Sequence, residues 1–251
     1  MKETIYTIPV TEAFTEAAGA DCPFCRMYAK LNDNSIEFVM GPSYMEDDVR
    51  TATNKTGFCP AHMAEMYKKP NRLGLALMVH THLMEVNRQL SARFKDMPGR
   101  KKKAFSPRKK QGRADDAVQF LKSIENSCYI CDRTERIFQK YIDTYFFLWN
   151  KDDDIKSATA GCGGFCLNHL YKLLEAGEAR LNAAEYDRFL QCAVPLSLKK
   201  LEELVGDLEW FIDKFDYRNT NEPWKNSKDA LIRALKKISC VSVEQAGAES
   251  K

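Results

Sequence analysis

Eight residues in two matching patterns carry the chemistry that this sequence can do. Residues 22–25 read CPFC and residues 57–62 read GFCPAH; residues 128–131 read CYIC and residues 164–169 read GFCLNH. Each half therefore offers three thiols and one imidazole: Cys22, Cys25, Cys59 and His62, then Cys128, Cys131, Cys166 and His169. Three sulfurs and one nitrogen suit a tetrahedral, borderline-soft ion, and zinc fits best. Two zinc sites are expected from these eight residues. Four protein ligands leave no open coordination position, so the sites are expected to be structural rather than hydrolytic. An iron–sulfur cluster is the alternative cofactor, because cysteine and histidine can also hold one. A thiol redox role for the two CxxC pairs is weaker, because no βαβ pattern surrounds either of them.

The patterns repeat in order and spacing. Cys59 follows Cys22 by 37 positions and Cys166 follows Cys128 by 38. The flanks agree as well: DDVRTATNKTGFC (47–59) matches DDIKSATAGCGGFC (153–166) with one insertion. Such agreement reads as an internal duplication. The expected organisation is a first repeat over 1–95, a basic linker over 96–113, a second repeat over 114–220, and a C-terminal loop, short helix and tail over 221–251. The repeat spacing does not decide whether an ion takes its ligands from one half or from both.

Helices must position these residues. A Cys and a His three positions apart lie about one helical turn apart on one face. If the Cys sits in a first turn, free N–H groups and the helix dipole favour its thiolate. Gly57 and Gly164 let the chain turn sharply before those helices, and Phe58 and Phe165 are expected to plug the core. Behind the first CxxH, Leu73, Leu77, His80, Met84, Asn87, Leu90 and Phe94 recur at helical spacing. This puts His80 on the apolar face and His82 in solvent. Ile137, Tyr141, Tyr145 and Leu148 share a second face. A third stripe runs from Tyr186 to Phe215 and includes Phe189 and Ala193; a continuous helix over 182–216 would be about 50 Å long, with Pro195 expected to kink or divide it. Ser227 is expected to cap a helix over 228–238, with Trp224 anchoring the loop before it. The runs Glu46-Asp47-Asp48 and Asp152-Asp153-Asp154 read as helix N-caps. No alternating strand pattern stands out. The expected fold is all-α, a duplicated helical repeat packed as a bundle-like body.

The remaining cysteines are read one by one. Cys192 lies on an apolar stripe and is expected in the core. Cys162, four positions before Cys166, has no counterpart in the first repeat; it could replace a ligand of the second set or react as a free thiol, and a loop residue is the simpler reading. Cys240, near the end, reads as incidental.

The chain has 251 residues, 44% hydrophobic and 29% charged, an ordinary balance for a globular protein. No apolar run approaches a membrane span, and the start lacks the pattern of a secretory signal. Nine cysteines without a signal point to a reducing cytoplasm, where clustered cysteines bind metal more often than they cross-link. The net charge of +3 conceals a basic block. Residues 100–113 hold 8 Lys or Arg and no acid, while the rest is net acidic. That block could contact nucleic-acid phosphates. A solvated linker is the simpler reading, because Phe105 is its one aromatic. No phosphate-binding loop, dinucleotide fingerprint, nucleophile elbow or zinc-protease motif occurs. A non-enzymatic scaffold or adaptor for a protein partner follows.

The repeated CxxC…GFCxxH pattern, with the DYR…EPW…SKDA segment at 216–230, resembles a family of bacterial proteins of unknown function, domain-of-unknown-function family 6062. The resemblance spans most of the chain. It implies a cytosolic bacterial protein and brings no activity or catalytic residue. The ligand assignment therefore rests on spacing.

Overall fold

The computed structural model describes residues 5–16, 21–94 and 115–240. Among them the regular structure is helical, with no β-strand, as the sequence predicts. The basic block at 100–113, and with it the nucleic-acid reading, lies outside the described residues, as does the tail at 241–251.

In chain order the α-helices are α1 (Thr7–Glu16), α2 (Pro23–Met40), α3 (Asp47–Thr56), α4 (Pro60–Lys68), α5 (Arg72–Arg93), α6 (Asp115–Glu125), α7 (Tyr129–Trp149), α8 (Asp153–Gly161), α9 (Leu167–Arg180), α10 (Ala183–Asp213) and α11 (Ala230–Ser239). The chain divides into two compact units. One is Leu31–Ile137; the other joins Met1–Lys30 to Phe138–Lys251. These units cut across the repeat boundaries read from the sequence. The first turns of α2 belong to the discontinuous unit and those of α7 to the continuous one.

In the continuous unit, α5 packs against α3, α4 and α6. Its core gathers Ile36, Val39, Phe58, Met66, Met78 and Ile130. The inward face of α5 is Gly74, Met78 and His82, each four residues after the last. This corrects the sequence reading. Leu73 is 67% exposed, Met84 59% exposed, and His80 faces solvent while His82 is buried. Residue type alone misplaced the face, because two of the three inward residues are not apolar. Asn71 caps α5, accepting from the Gly74 N–H at 2.9 Å, and a Cβ on Gly74 would collide with its amide. His82 Nδ1 donates to the Asn54 carbonyl at 2.8 Å, which satisfies its buried ring.

The discontinuous unit has an aromatic core. Phe14 of α1 stacks on Tyr145 of α7, with centroids 5.2 Å apart and planes at 4°. Phe24, Phe138, Phe146, Trp149, Phe165 and Phe189 are all essentially inaccessible. The Tyr145 hydroxyl pairs with that of Thr159 at 3.1 Å, which meets its one polar need. Helix α10 runs unbroken through Pro195. Its first half buries the expected Phe189 and Ala193. Further along, Leu204 lies under α11 with Ala230 and Ala234, while Val205, Ile212 and Phe215 are exposed.

Two capping expectations need correction. Helix α11 starts at Ala230 with Asp229 at its N-cap, not at Ser227. Ser227 is buried, and its hydroxyl donates to the Trp224 carbonyl at 2.7 Å, so it closes the preceding turn. Trp224 does anchor that loop: it packs on Phe211, and the Trp210 indole donates to the Pro223 carbonyl at 2.9 Å. Of the acidic runs, Asp152 caps α8 through the Asp154 N–H at 2.9 Å. Glu46 precedes α3 without a side-chain cap bond, so there Asp47 and Asp48 act through the helix dipole.

Candidate metal centres

Four helix N-termini supply the eight residues, and all four use one local plan. Cys59 is the N-cap of α4 and Cys166 that of α9; His62 and His169 stand three residues on. Cys22 and Cys128 immediately precede α2 and α7, and Cys25 and Cys131 again stand three residues on. An N-cap side chain and the third helical side chain face the same way, beside N–H groups that have no partner within the helix. The Cys166 sulfur accepts from the His169 N–H at 3.4 Å. Each Cys or His pair thus sits at the positive end of a helix, where a thiolate is stabilised.

Two conformational details allow the GFC turns. Gly57 has φ 62° and ψ −154°, a region that essentially only glycine occupies, and Gly164 has φ 71°. A Cβ on Gly57 would lie 2.5 Å from His82 Nε2. The phenylalanines that follow are buried, as expected: Phe58 is 7% exposed and Phe165 0%.

The eight residues form two clusters, and the CxxC of one half meets the CxxH of the other. Cys22, Cys25, Cys166 and His169 form the first cluster, within the discontinuous unit. Cys59, His62, Cys128 and Cys131 form the second, within the continuous unit. In each, all donor atoms lie within 4.8 Å of one another. Of the two pairings that the repeat spacing leaves open, the structure brings together the exchanged one. Hydrogen bonds help to fix the exchange in the second cluster. The Tyr129 N–H donates to the Gly57 carbonyl at 3.0 Å and the Ser127 hydroxyl to the Thr56 carbonyl at 2.6 Å.

In both clusters the sulfurs gather around Nδ1 of the histidine. In the first, Cys166, Cys25 and Cys22 lie 3.1, 3.4 and 3.7 Å from His169 Nδ1, and Cys25 lies 3.5 Å from Cys166. In the second, Cys59, Cys128 and Cys131 lie 3.2, 3.2 and 3.4 Å from His62 Nδ1, and Cys59 lies 4.0 Å from Cys131. A tetrahedral zinc with ordinary bond lengths would set sulfurs about 3.8 Å apart and sulfur and nitrogen about 3.6 Å apart. The sulfur–sulfur separations of 3.5 and 4.0 Å lie on either side of the first value, and the sulfur–nitrogen separations, 3.1–3.7 Å, reach the second in the first cluster and fall slightly short of it in the other.

The surroundings differ. His62 Nε2 meets Asn32 Oδ1 at 2.7 Å, and the Asn32 amide nitrogen donates to Glu65 at 3.3 Å. His169 is instead packed among rings, with Phe138 at 5.2 Å, Phe24 at 6.1 Å and Tyr28 at 6.3 Å. Asn32 and Phe138 each stand ten positions after the first Cys of their CxxC.

The thiols perturb one another. Burial works against the Cys22 thiolate. Hydrogen bonds with Cys166 and Cys25 and the His169 imidazole outweigh it and hold Cys22 well below the usual thiol range. Cys25 is pushed up by its hydrogen bonds with Cys166 and Cys22 and by burial. Cys166 is pushed up, chiefly by Cys22. In the second cluster, burial and neighbouring Cys128 push Cys131 up. Several anionic sulfurs cannot share so small a volume unless a cation joins them.

The other cysteines fall into place around this frame. Cys162 caps the C-terminal end of α8, is 1% exposed and belongs to neither cluster; burial pushes its thiol up to about 11. Cys192 is half-buried, less deeply placed than its stripe suggested. Cys240 is not incidental in position: its sulfur lies 3.1 Å from that of Cys166. No spacing rule could have found that contact, because 74 residues separate the two.

No helix among the described residues is long and apolar enough to cross a membrane. Comparison with curated proteins and with solved structures finds no match. A model of a family of unknown function, DUF6062, matches residues 1–245, and the chain belongs to that family.

Proposed function

We propose that the protein is a non-enzymatic helical scaffold or adaptor in which two structural ions, zinc in each case, clamp pairs of helix N-termini. The observation that carries this reading is the pair of Cys3His clusters with donor separations suited to one tetrahedral ion. Each ion would be held by a CxxC from one repeat and a CxxH from the other, so the ligands would belong to an exchanged duplication. Four protein donors close the coordination sphere and leave no position for substrate or hydroxide.

The spacing favours a single ion over an iron–sulfur cluster. A cluster must fit several irons and inorganic sulfides between its thiolates, which holds the ligand sulfurs farther apart than a single ion does. The scaffold's role would be to present helical surface to a protein partner in the cytoplasm.

The test is metal analysis with a visible spectrum on untagged, full-length protein purified without oxygen. Two zinc per chain and no colour are expected. Iron with sulfide and a brown chromophore would move the protein to redox chemistry. Absence of any metal would remove the proposal.

A further inference from the structure

The first cluster has a thiol in contact with one of its four residues that is not itself part of the donor set. Beside Cys166 stands a fifth thiol, Cys240, with the sulfurs 3.1 Å apart. It does not complete the donor set, since the four atoms within mutual reach are those of Cys22, Cys25, Cys166 and His169. Its position is built by the fold. Helix α11 buries Ala230 and Ala234, and the buried Lys237 donates to the carbonyls of Gly163 at 2.6 Å and Gly164 at 3.0 Å. Those carbonyls belong to the turn that leads into Cys166. Three residues after Lys237, Cys240 ends the helix in the left-handed region at φ 57°, and its N–H is held by the Lys236 carbonyl.

The two thiols also differ in access. Cys166 is 1% exposed, whereas Cys240 is half-buried. Among the described residues, the second cluster has no thiol beyond its own three.

We propose that Cys240 and Cys166 form a peroxide-driven disulfide that releases the ion from the first cluster and spares the second. The inference rests on the metal-binding reading for the release step. The more accessible Cys240 sulfur attacks the peroxide and takes one oxygen; the O–O bond breaks, and the other oxygen leaves as water with the proton of the thiol. The Cys166 sulfur then attacks the resulting sulfenic sulfur. The S–S bond forms, and the sulfenic oxygen leaves as water after taking a proton. The two sulfurs give up two electrons in all, and these reduce the peroxide. Closing the pair needs about 1 Å of contraction to an S–S bond. With Cys166 no longer a thiolate, three donors remain, and the ion dissociates. A dithiol reductant with added zinc restores the site.

The experiment treats zinc-loaded full-length protein with hydrogen peroxide while a chromophoric chelator reports free zinc; peptide mapping then locates disulfides. Release of one of two equivalents is expected, with a Cys166–Cys240 disulfide. C240S is expected to keep its full helical signal and to slow the release by an order of magnitude. C192S, which removes a thiol of neither cluster, should behave as the parent does. Equal release from C240S and parent, or a Cys22–Cys25 disulfide in place of the expected one, overturns the inference. Protein that holds no metal as purified would refute the metal-binding reading and the release step. Mapping of the same oxidised sample would still decide the pairing itself.

Discussion

Removing the acceptor behind His62 should weaken one ion and leave the other alone. The sulfurs of the second cluster crowd around His62 Nδ1, so Nδ1 is the nitrogen that would face an ion. Nε2 must then carry the proton and donate it to Asn32 Oδ1, 2.7 Å away. The amide orientation is set from the other side, because the Asn32 nitrogen donates to Glu65. Asn32→Leu removes the acceptor and leaves a buried N–H unpaired. Loss of such a supporting bond costs roughly 10–100-fold in metal affinity, or about 1.4–2.7 kcal/mol. Asn32→Asp keeps an acceptor and makes it charged, so it should hold or tighten the ion. The assay is competition with a chromophoric chelator in a Cys22→Ser background, which leaves the second cluster to be read alone. Weakening in Asn32→Leu with retention in Asn32→Asp is expected. Affinity in Asn32→Leu equal to that of its Cys22→Ser parent would refute the reasoning, because the histidine would then need no orienting partner.

Other outcomes follow from the same geometry. Gly57→Ala forces an L side chain into a glycine-only region and against His82, so it should destabilise the fold by at least about 1–3 kcal/mol, read as a lower melting temperature. Phe14→Ala removes a ring that is 2% exposed and stacked on Tyr145, at a cost of about 3–5 kcal/mol in chemical denaturation. Cys25 and Cys166 have raised pKa values and so carry protons at neutral pH in the metal-free cluster. An ion must displace those protons, so loading should acidify a weakly buffered solution, and apparent affinity should fall as pH falls. Uptake without proton release would contradict that protonation state.

The local half of the site was legible in the sequence. A Cys followed three positions later by Cys or His fixes two donors on one helix start, and all four such pairs occupy that place. The pairing of helix starts was not legible. Cys25 and Cys166 are 141 residues apart, and tertiary packing alone decides that they meet. The same limit hid Cys240 beside Cys166. On α5 the error had another cause. Apolar residues were counted as inward, but Gly74 and His82 form the packed face, one by lacking a side chain and the other by satisfying its ring on the Asn54 carbonyl. A hydrophobic pattern sees neither. Ser227 has the right residue type for a cap, but its hydroxyl is used by the turn before the helix.

The exchanged pairing is tested most directly by metal stoichiometry in two double variants. Cys22→Ser with Cys166→Ser removes two donors from one cluster, so one ion should be lost and one kept. Cys22→Ser with Cys59→Ser removes a donor from each cluster, so both ions should be lost or weakly held. The reverse result, two ions lost in the first variant and one in the second, would show that each repeat keeps its own ligands and would contradict the account.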